Sequence, residues 1–116
     1  MLNFFDCNCV VGRRSIRRTG GAEETEFCTL ESLIEKMDYA NIDKALVYHS
    51  LAREYNPMYG NRKLIDEIKG NKRLYPCWVV MPSSTGEMPN PENLIKEMKQ
   101  NGVKCARMFP TEHLFS

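Results

Sequence analysis

Apolar positions along this chain follow two spacings, one typical of buried strands and the other of amphipathic helices. Nearly continuous apolar runs of strand length occur four times, at residues 4–11, 43–49, 74–81 and 103–109. Between them, apolar residues recur at helical spacing in three groups: Leu30, Leu33, Ile34 and Met37; Leu64, Ile65 and Ile68; Leu94, Ile95 and Met98. Apolar strands alternating with amphipathic helices are typical of a parallel sheet with right-handed crossovers. The pattern therefore predicts the order βαβαβαβ and an α/β fold with four parallel strands and three crossover helices.

Residues with strong positional preferences mark the ends of the predicted helices. Thr29 is suited to cap the start of the first helix, and Asn41 to adopt the left-handed conformation just after it. The second helix ends at Gly70. Pro91 fits the first turn of the third helix, which ends at Gly102. These signals agree with the apolar spacing.

Two architectures accommodate this order: an open doubly wound sheet and the N-terminal half of a (β/α)8 TIM barrel. A complete barrel needs about 250 residues, and this chain has 116. It stops soon after the fourth strand with no covering helix, so we expect a single partial domain over residues 1–116, truncated at its C-terminus. For a half-barrel we expect strand order 1-2-3-4, three helices on one side and a curved sheet. No strand is followed by a glycine-rich phosphate loop, which disfavours an open flavodoxin-like module.

Composition and charge exclude several classes of function. The net charge is +1 and no long apolar run or basic-then-apolar leader is present, so we expect neither nucleic acid nor membrane as a partner. The five cysteines form an odd set without a C-x-x-C pair, which argues against a disulfide framework or a zinc knuckle. A reducing cytoplasm fits these features best.

The end of the first strand carries the first candidate chemistry. Side chains alternate across a strand, so Asp6, Asn8 and Val10 are expected on one face and Cys7 and Cys9 on the other. Polar groups on a buried strand need partners. They therefore mark either a functional site or local hydrogen bonds to the turn that follows.

Short motifs in this order resemble the start of the amidohydrolase-related family. They are Phe5-Asp6-x-Asn8 with Gly12-Arg13, Asn41-Ile42-Asp43, Asn56-Pro57, Gly60-Asn61, Tyr75-Pro76-Cys77-Trp78, Met81-Pro82, Asn101-Gly102-Val103-Lys104 and Arg107-Met108-Phe109-Pro110. The resemblance spans nearly all of the chain but only the N-terminal half of the family's barrel. It implies a TIM-barrel fold and, for the complete protein, a metal-dependent hydrolase or decarboxylase that acts on a small organic substrate.

The chain departs from that family where its members carry Asp-x-His-x-His, whose two histidines bind a divalent metal. Aligned on Asp6, these positions hold Asn8 and Val10. Valine has no ligand atom, and a neutral amide is a poor zinc ligand. We therefore expect no metal and no cofactor in these 116 residues, although the resemblance implies a divalent metal such as zinc in the complete fold. Two functions stay open: an amidohydrolase-type enzyme in the complete barrel, to which this chain alone contributes no catalysis, or a non-catalytic barrel that binds or regulates.

Five residues are the candidates for the site. Asp6 and His49, on the first and second strands, are the candidate catalytic residues, although His49 equally fits a cap on the following loop. Asn8, Arg13 and Arg107 are the candidate substrate-binding residues. Arg107 lies in an apolar strand and needs either a substrate carboxylate or an internal partner such as Asp6. We expect Asn8 to hydrogen-bond a nearby polar group such as Arg107.

The segment after the first strand is densely charged. Arg13 begins a run of four arginines that is followed by glycines and then by glutamates up to residue 26. The pattern predicts a long solvated loop whose first residue can close over a ligand.

A half-barrel also leaves edge strands open and one apolar sheet face uncovered. Besides a small-molecule substrate, the expected partner is therefore a second copy of the chain or the missing half-barrel.

Overall fold

Five strands and four helices make up the fold in a computed structural model that describes residues 4–17, 23–82, 86 and 88–110. In chain order they are β1 (Phe4–Arg17), β2 (Glu23–Cys28), α1 (Leu30–Tyr39), β3 (Ile42–His49), α2 (Ser50–Glu54), α3 (Pro57–Ile68), β4 (Leu74–Val79), α4 (Pro91–Gln100) and β5 (Cys105–Arg107). The predicted caps are present: the Thr29 side chain accepts from the Ser32 amide, and Asn41 has a positive φ of 59°.

The strands form one sheet in the order β2-β1-β3-β4-β5. Strands β1, β3, β4 and β5 are parallel and stand in the order in which the chain makes them, with helices between them. This confirms the predicted four-stranded parallel sheet of an α/β fold and its sequential order.

The charged segment after the first strand is not the predicted loop. β1 continues to Arg17, and β2 pairs with this extension in antiparallel register, from Gly12↔Cys28 to Arg17↔Glu23. The register places Arg14 opposite Glu26 and Arg17 opposite Glu23. Residues 13–17 and 23–26, which the charge pattern assigned to a solvated loop, are therefore strands that pair as a two-stranded arm.

The sheet has two faces, and α1, α3 and α4 all pack on the same one, as predicted. This helix face carries buried residues of the sheet and the helices: Cys9, Val11, Ala45, Val47, Leu74, Trp78, Leu33, Met37, Met58, Leu64 and Ile68. Leu94 and Met98 of α4 pack against the same cluster. The helix layer therefore covers one side of the sheet only.

The opposite face carries a smaller cluster formed by Tyr48, Cys77, Val79 and Phe109, with Ala52 of α2 against its end. These residues are all buried, so the apolar face that was predicted to be uncovered is buried at this end of the strands. Toward the N-terminal ends of the strands the face does open. Phe5 and Tyr75, whose ring centroids lie 5.9 Å apart, are 50% and 41% exposed.

Asn61 of α3 fixes the point where β3 and β4 part. The two strands pair only as far as Val47↔Pro76. Beyond it, the buried Asn61 amide donates to the Val79 carbonyl and accepts from the Val79 amide, both at 2.9 Å. A side-chain amide thus supplies the two hydrogen bonds that a neighbouring strand would otherwise supply.

Helix α2 was not predicted, because five residues are too few for a visible apolar period. It is held by close backbone packing on α3. A Cβ atom added to Gly60 would lie 2.1 Å from the Ala52 amide nitrogen. Within the residues described, no helix combines the length and hydropathy needed to cross a bilayer.

Candidate functional site

Asn8, Tyr48 and Arg107 converge on the opposite face, where Tyr48 and Arg107 lie near the carboxyl ends of β3 and β5 and Asn8 lies in the part of β1 that pairs with β3. The Arg107 guanidinium donates from Nη1 to Asn8 Oδ1 at 2.7 Å. It lies over two aromatic rings, 4.7 Å from the Tyr48 centroid and 4.5 Å from that of Phe109. The predicted partnership of Asn8 with Arg107 is confirmed, and both belong to one polar site.

A second guanidinium borders the same rings. Arg53 of α2 lies 4.7 Å from the Phe109 centroid, and its Nη1 donates to the Tyr48 hydroxyl at 3.5 Å. The Tyr48 and Phe109 centroids are 5.4 Å apart. The guanidinium groups of Arg53 and Arg107 lie against the rings of Tyr48 and Phe109. Together they form a positively charged patch suited to a planar anion. Below, we call Asn8, Tyr48, Arg53, Arg107 and Phe109 the arginine site.

The charge of Arg107 is not neutralised by the partner that the sequence suggested. Among the described residues, no carboxylate contacts this guanidinium, and its hydrogen-bond partner Asn8 is a neutral amide. The internal pairing with Asp6, one of the two alternatives for Arg107, is therefore not formed. A guanidinium in this state can receive a carboxylate through paired N–H donors.

Asp6 is displaced from the arginine site by a bulge in β1. Asp6 pairs with Ala45 and Cys9 with Val47, so β1 contains one more residue than β3 over this stretch. The extra residue places Asp6 on the same side as Cys9, on the helix face, and not with Asn8 and Val10. Its Oδ1 accepts from the Asn8 amide at 2.9 Å, a local bond that stabilises the irregular backbone.

The cysteines of the first strand differ in their surroundings. Burial raises the pKa of the Cys9 thiol to about 12, and the nearby Asp6 adds to the effect. Cys9 packs as an apolar side chain in the cluster on the helix face. Cys7, which alternation predicted on the same face as Cys9, is exposed.

His49 lies on the other side of the sheet, 2% exposed, at the end of β3. Its Nδ1 accepts from the Leu51 amide at 3.1 Å and so caps α2, while Nε2 lies 3.3 Å from the Glu67 carboxylate. Burial lowers the pKa of His49, and Glu67 opposes that shift only in part. The geometry supports the cap that the sequence left open and adds Glu67, which spacing did not reveal. It does not bring His49 to Asn8 and Arg107.

A cavity of about 500 Å³ adjoins His49 on the helix face. Its lining includes Gly12, Cys28, Lys63 and Glu67. Next to it, the Ser50 hydroxyl is buried without a hydrogen-bond partner among the described residues, close against Gly12. These polar groups lie where β1, β3 and α2 meet, on the other side of the sheet from the arginine site.

The residues aligned with the family's first metal ligands do not fit a divalent cation. Asn8 Oδ1 is bound by a guanidinium, whose positive charge would repel a metal ion, and Val10 packs in the apolar cluster. Within the described part of the chain, no three His, Cys, Asp or Glu side chains are grouped as a metal site requires.

The Arg13 side chain lies outside the described residues, so its predicted closing over a ligand stays a prediction. Alternation along β3 places Tyr48 on the face opposite to its neighbour His49, which lies on the helix face. Arg53 had no signal in the sequence, because it joins the site through the short helix α2.

No protein-family model, curated protein or solved structure matches this chain.

Proposed function

We propose that this chain is the N-terminal part of an amidohydrolase-like TIM-barrel protein and that it binds the carboxylate of a small organic substrate through Arg107. The complete barrel would be a cytoplasmic hydrolase or decarboxylase. One observation carries the binding proposal: the Arg107 guanidinium stands over Tyr48 and Phe109 without a carboxylate partner among the described residues.

The chemistry of Arg107 favours a planar carboxylate. A guanidinium has five N–H donors in one plane, and in Arg107 one of them is bound to Asn8. Two parallel donors match the two oxygens of a carboxylate, and the hydrogen bonds are strengthened by charge. The neighbouring aromatic rings favour a substrate with a flat or apolar body.

The position of the site supports the barrel part of the proposal. It lies near the carboxyl ends of parallel strands, where barrel enzymes place their substrates. Two strands, β3 and β4, separate Asn8 from Arg107. On a flat sheet, three strand spacings would hold their backbones about 14 Å apart, so a bond of 2.7 Å favours a sheet that curls toward this face.

A second function, ligand binding without catalysis, is favoured by the placement of the titratable groups. Asp6 and His49 both lie on the helix face, so neither reaches a ligand held by Arg107. In this alternative the barrel binds the same carboxylate and does not transform it. Product analysis with the full-length protein distinguishes the two.

The binding proposal is tested by titrating the chain with benzoate and, separately, with benzamide, its neutral counterpart of the same shape. We expect benzoate to bind and benzamide to bind much more weakly, and Arg107→Met to abolish the difference. Arg62→Met is the matched control, because Arg62 is an exposed arginine that pairs with Glu97 on the helices. Equal binding of the two ligands, or unchanged benzoate binding by Arg107→Met, would contradict the proposal.

A further inference from the structure

Cys77 and Cys105 are direct register partners on the adjacent parallel strands β4 and β5. Their Cα atoms are therefore about 4.8 Å apart, within the range that a disulfide spans. Both side chains belong to the cluster on the opposite face, and both are free thiols. Two thiols that share a face and a register position form a pair, whereas the register partners of Cys9 and Cys28 are Val47 and Gly12.

The two thiols differ in access. Cys77 is 4% exposed, whereas Cys105 is half-buried on the strand at the edge of the described sheet. Burial first, and the neighbouring Cys105 next, raise the pKa of Cys77 to about 11, and the positive charge of Arg107 opposes the shift. Cys105 is therefore the thiol that an oxidant in solution reaches first.

We propose that Cys77 and Cys105 form an oxidation site at which hydrogen peroxide converts the two thiols to a disulfide. Cys105 attacks the peroxide, an S–O bond forms, the O–O bond breaks and one water leaves. Cys77 then attacks the oxidised sulfur, an S–S bond forms, the S–O bond breaks and a second water leaves with the proton of Cys77. The two sulfurs lose two electrons in total, and the peroxide gains them.

The same geometry leaves this disulfide accessible to reductants. Cys105 is half-buried on β5, which contains only three residues and pairs with no second strand in the described part of the chain. Disulfides that are exposed to solvent have the higher reduction potentials of reversible sites.

The test is peptide mapping by mass spectrometry after brief treatment of the reduced chain with limiting hydrogen peroxide. We expect the peptides that contain Cys77 and Cys105 to be joined, with a mass lower by two hydrogens, and reduced glutathione to separate them. Cys105→Ser should leave Cys77 reduced. Cys28→Ser is the matched control, because Cys28 is also half-buried but has no cysteine as its register partner, and it should form the link as the unaltered chain does.

Three outcomes would overturn the inference: Cys105 oxidised to the sulfinic acid without a link, a first link between other cysteines, or a link that resists reduced glutathione. If Cys105→Ser fails to fold, mapping of the unaltered chain and of Cys28→Ser still decides, because the joined peptides identify the two sulfurs directly.

Discussion

Arg107 in β5 donates a hydrogen bond of 2.7 Å to Asn8 in β1, although β3 and β4 lie between these strands. The bond holds the Arg107 guanidinium over the Tyr48 ring. Because Asn8 is neutral, the guanidinium has no negatively charged partner among the described residues. It joins residues 99 positions apart, so it also links the first and last described strands of the chain.

Asn61→Ala should destabilise the fold strongly. The substitution removes the two hydrogen bonds to Val79 and leaves a buried N–H and C=O unsatisfied where β3 and β4 part. We expect a loss of about 2–4 kcal/mol in the free energy of unfolding, measured by urea denaturation. Asn93→Ala, at an exposed helical position, is the control and should change it by less than about 0.5 kcal/mol. Equal effects of the two substitutions would contradict the role given to Asn61.

Gly60→Ala should separate α2 from α3. The added Cβ would lie 2.1 Å from the Ala52 backbone nitrogen, and backbone cannot yield as a flexible side chain can. Overpacking of this kind costs about 1–3 kcal/mol. Lys63→Ala, one turn along the same helix at an exposed position, should have little effect on stability. Thermal unfolding of both variants checks this, and an unchanged midpoint for Gly60→Ala would show that α2 does not pack as described.

Acid should weaken the fold through His49. Burial holds the pKa of folded His49 below its ordinary value, so the unfolded chain binds the proton more readily. Stability is therefore complete above the ordinary pKa of about 6.5 and declines as the pH falls below it. Protonation of Nδ1 would also remove the acceptor of the Leu51 amide that caps α2.

The measurement is the free energy of unfolding at pH 7.5 and pH 5.5, values chosen on either side of about 6.5. His49→Asn keeps a side-chain acceptor for the cap without a titrating ring, so it should lose less stability between the two values than the unaltered chain. His113→Gln controls for the other histidine in the sequence. An identical loss in the chain and in His49→Asn would rule out His49 as the cause.

The strand and helix pattern was predictable because long apolar periods dominate it. The periods at Leu30–Met37 and along the four apolar runs led to α1, β3, β4 and the parallel order. The two-stranded arm was missed because residues 13–26 lack the alternating apolar pattern from which strands are predicted: seven of these fourteen residues are charged and two are glycines. No local signal in this segment of the sequence distinguishes a solvated loop from a two-stranded arm.

The site was only partly predictable for a similar reason. Alternation placed Asn8 with Val10 on one face of β1, and the hydrogen bond from Arg107 reaches Asn8 on that face. It failed for Asp6, because one bulged residue reverses the face of every residue before it. His49 lies at the carboxyl end of its strand, as predicted. The contact of its side chain with Glu67 depends on α3, which is distant in sequence.

The central claim is that Arg107 receives a carboxylate because its own partner is neutral. The most direct measurement is the dissociation constant for benzoate in Asn8→Asp and Asn8→Ala at one ionic strength. The account predicts that Asn8→Asp abolishes binding, because the introduced carboxylate occupies the guanidinium, and that Asn8→Ala still binds, since it adds no negative charge. Benzoate binding by Asn8→Asp at the affinity of the unaltered chain would contradict the claim.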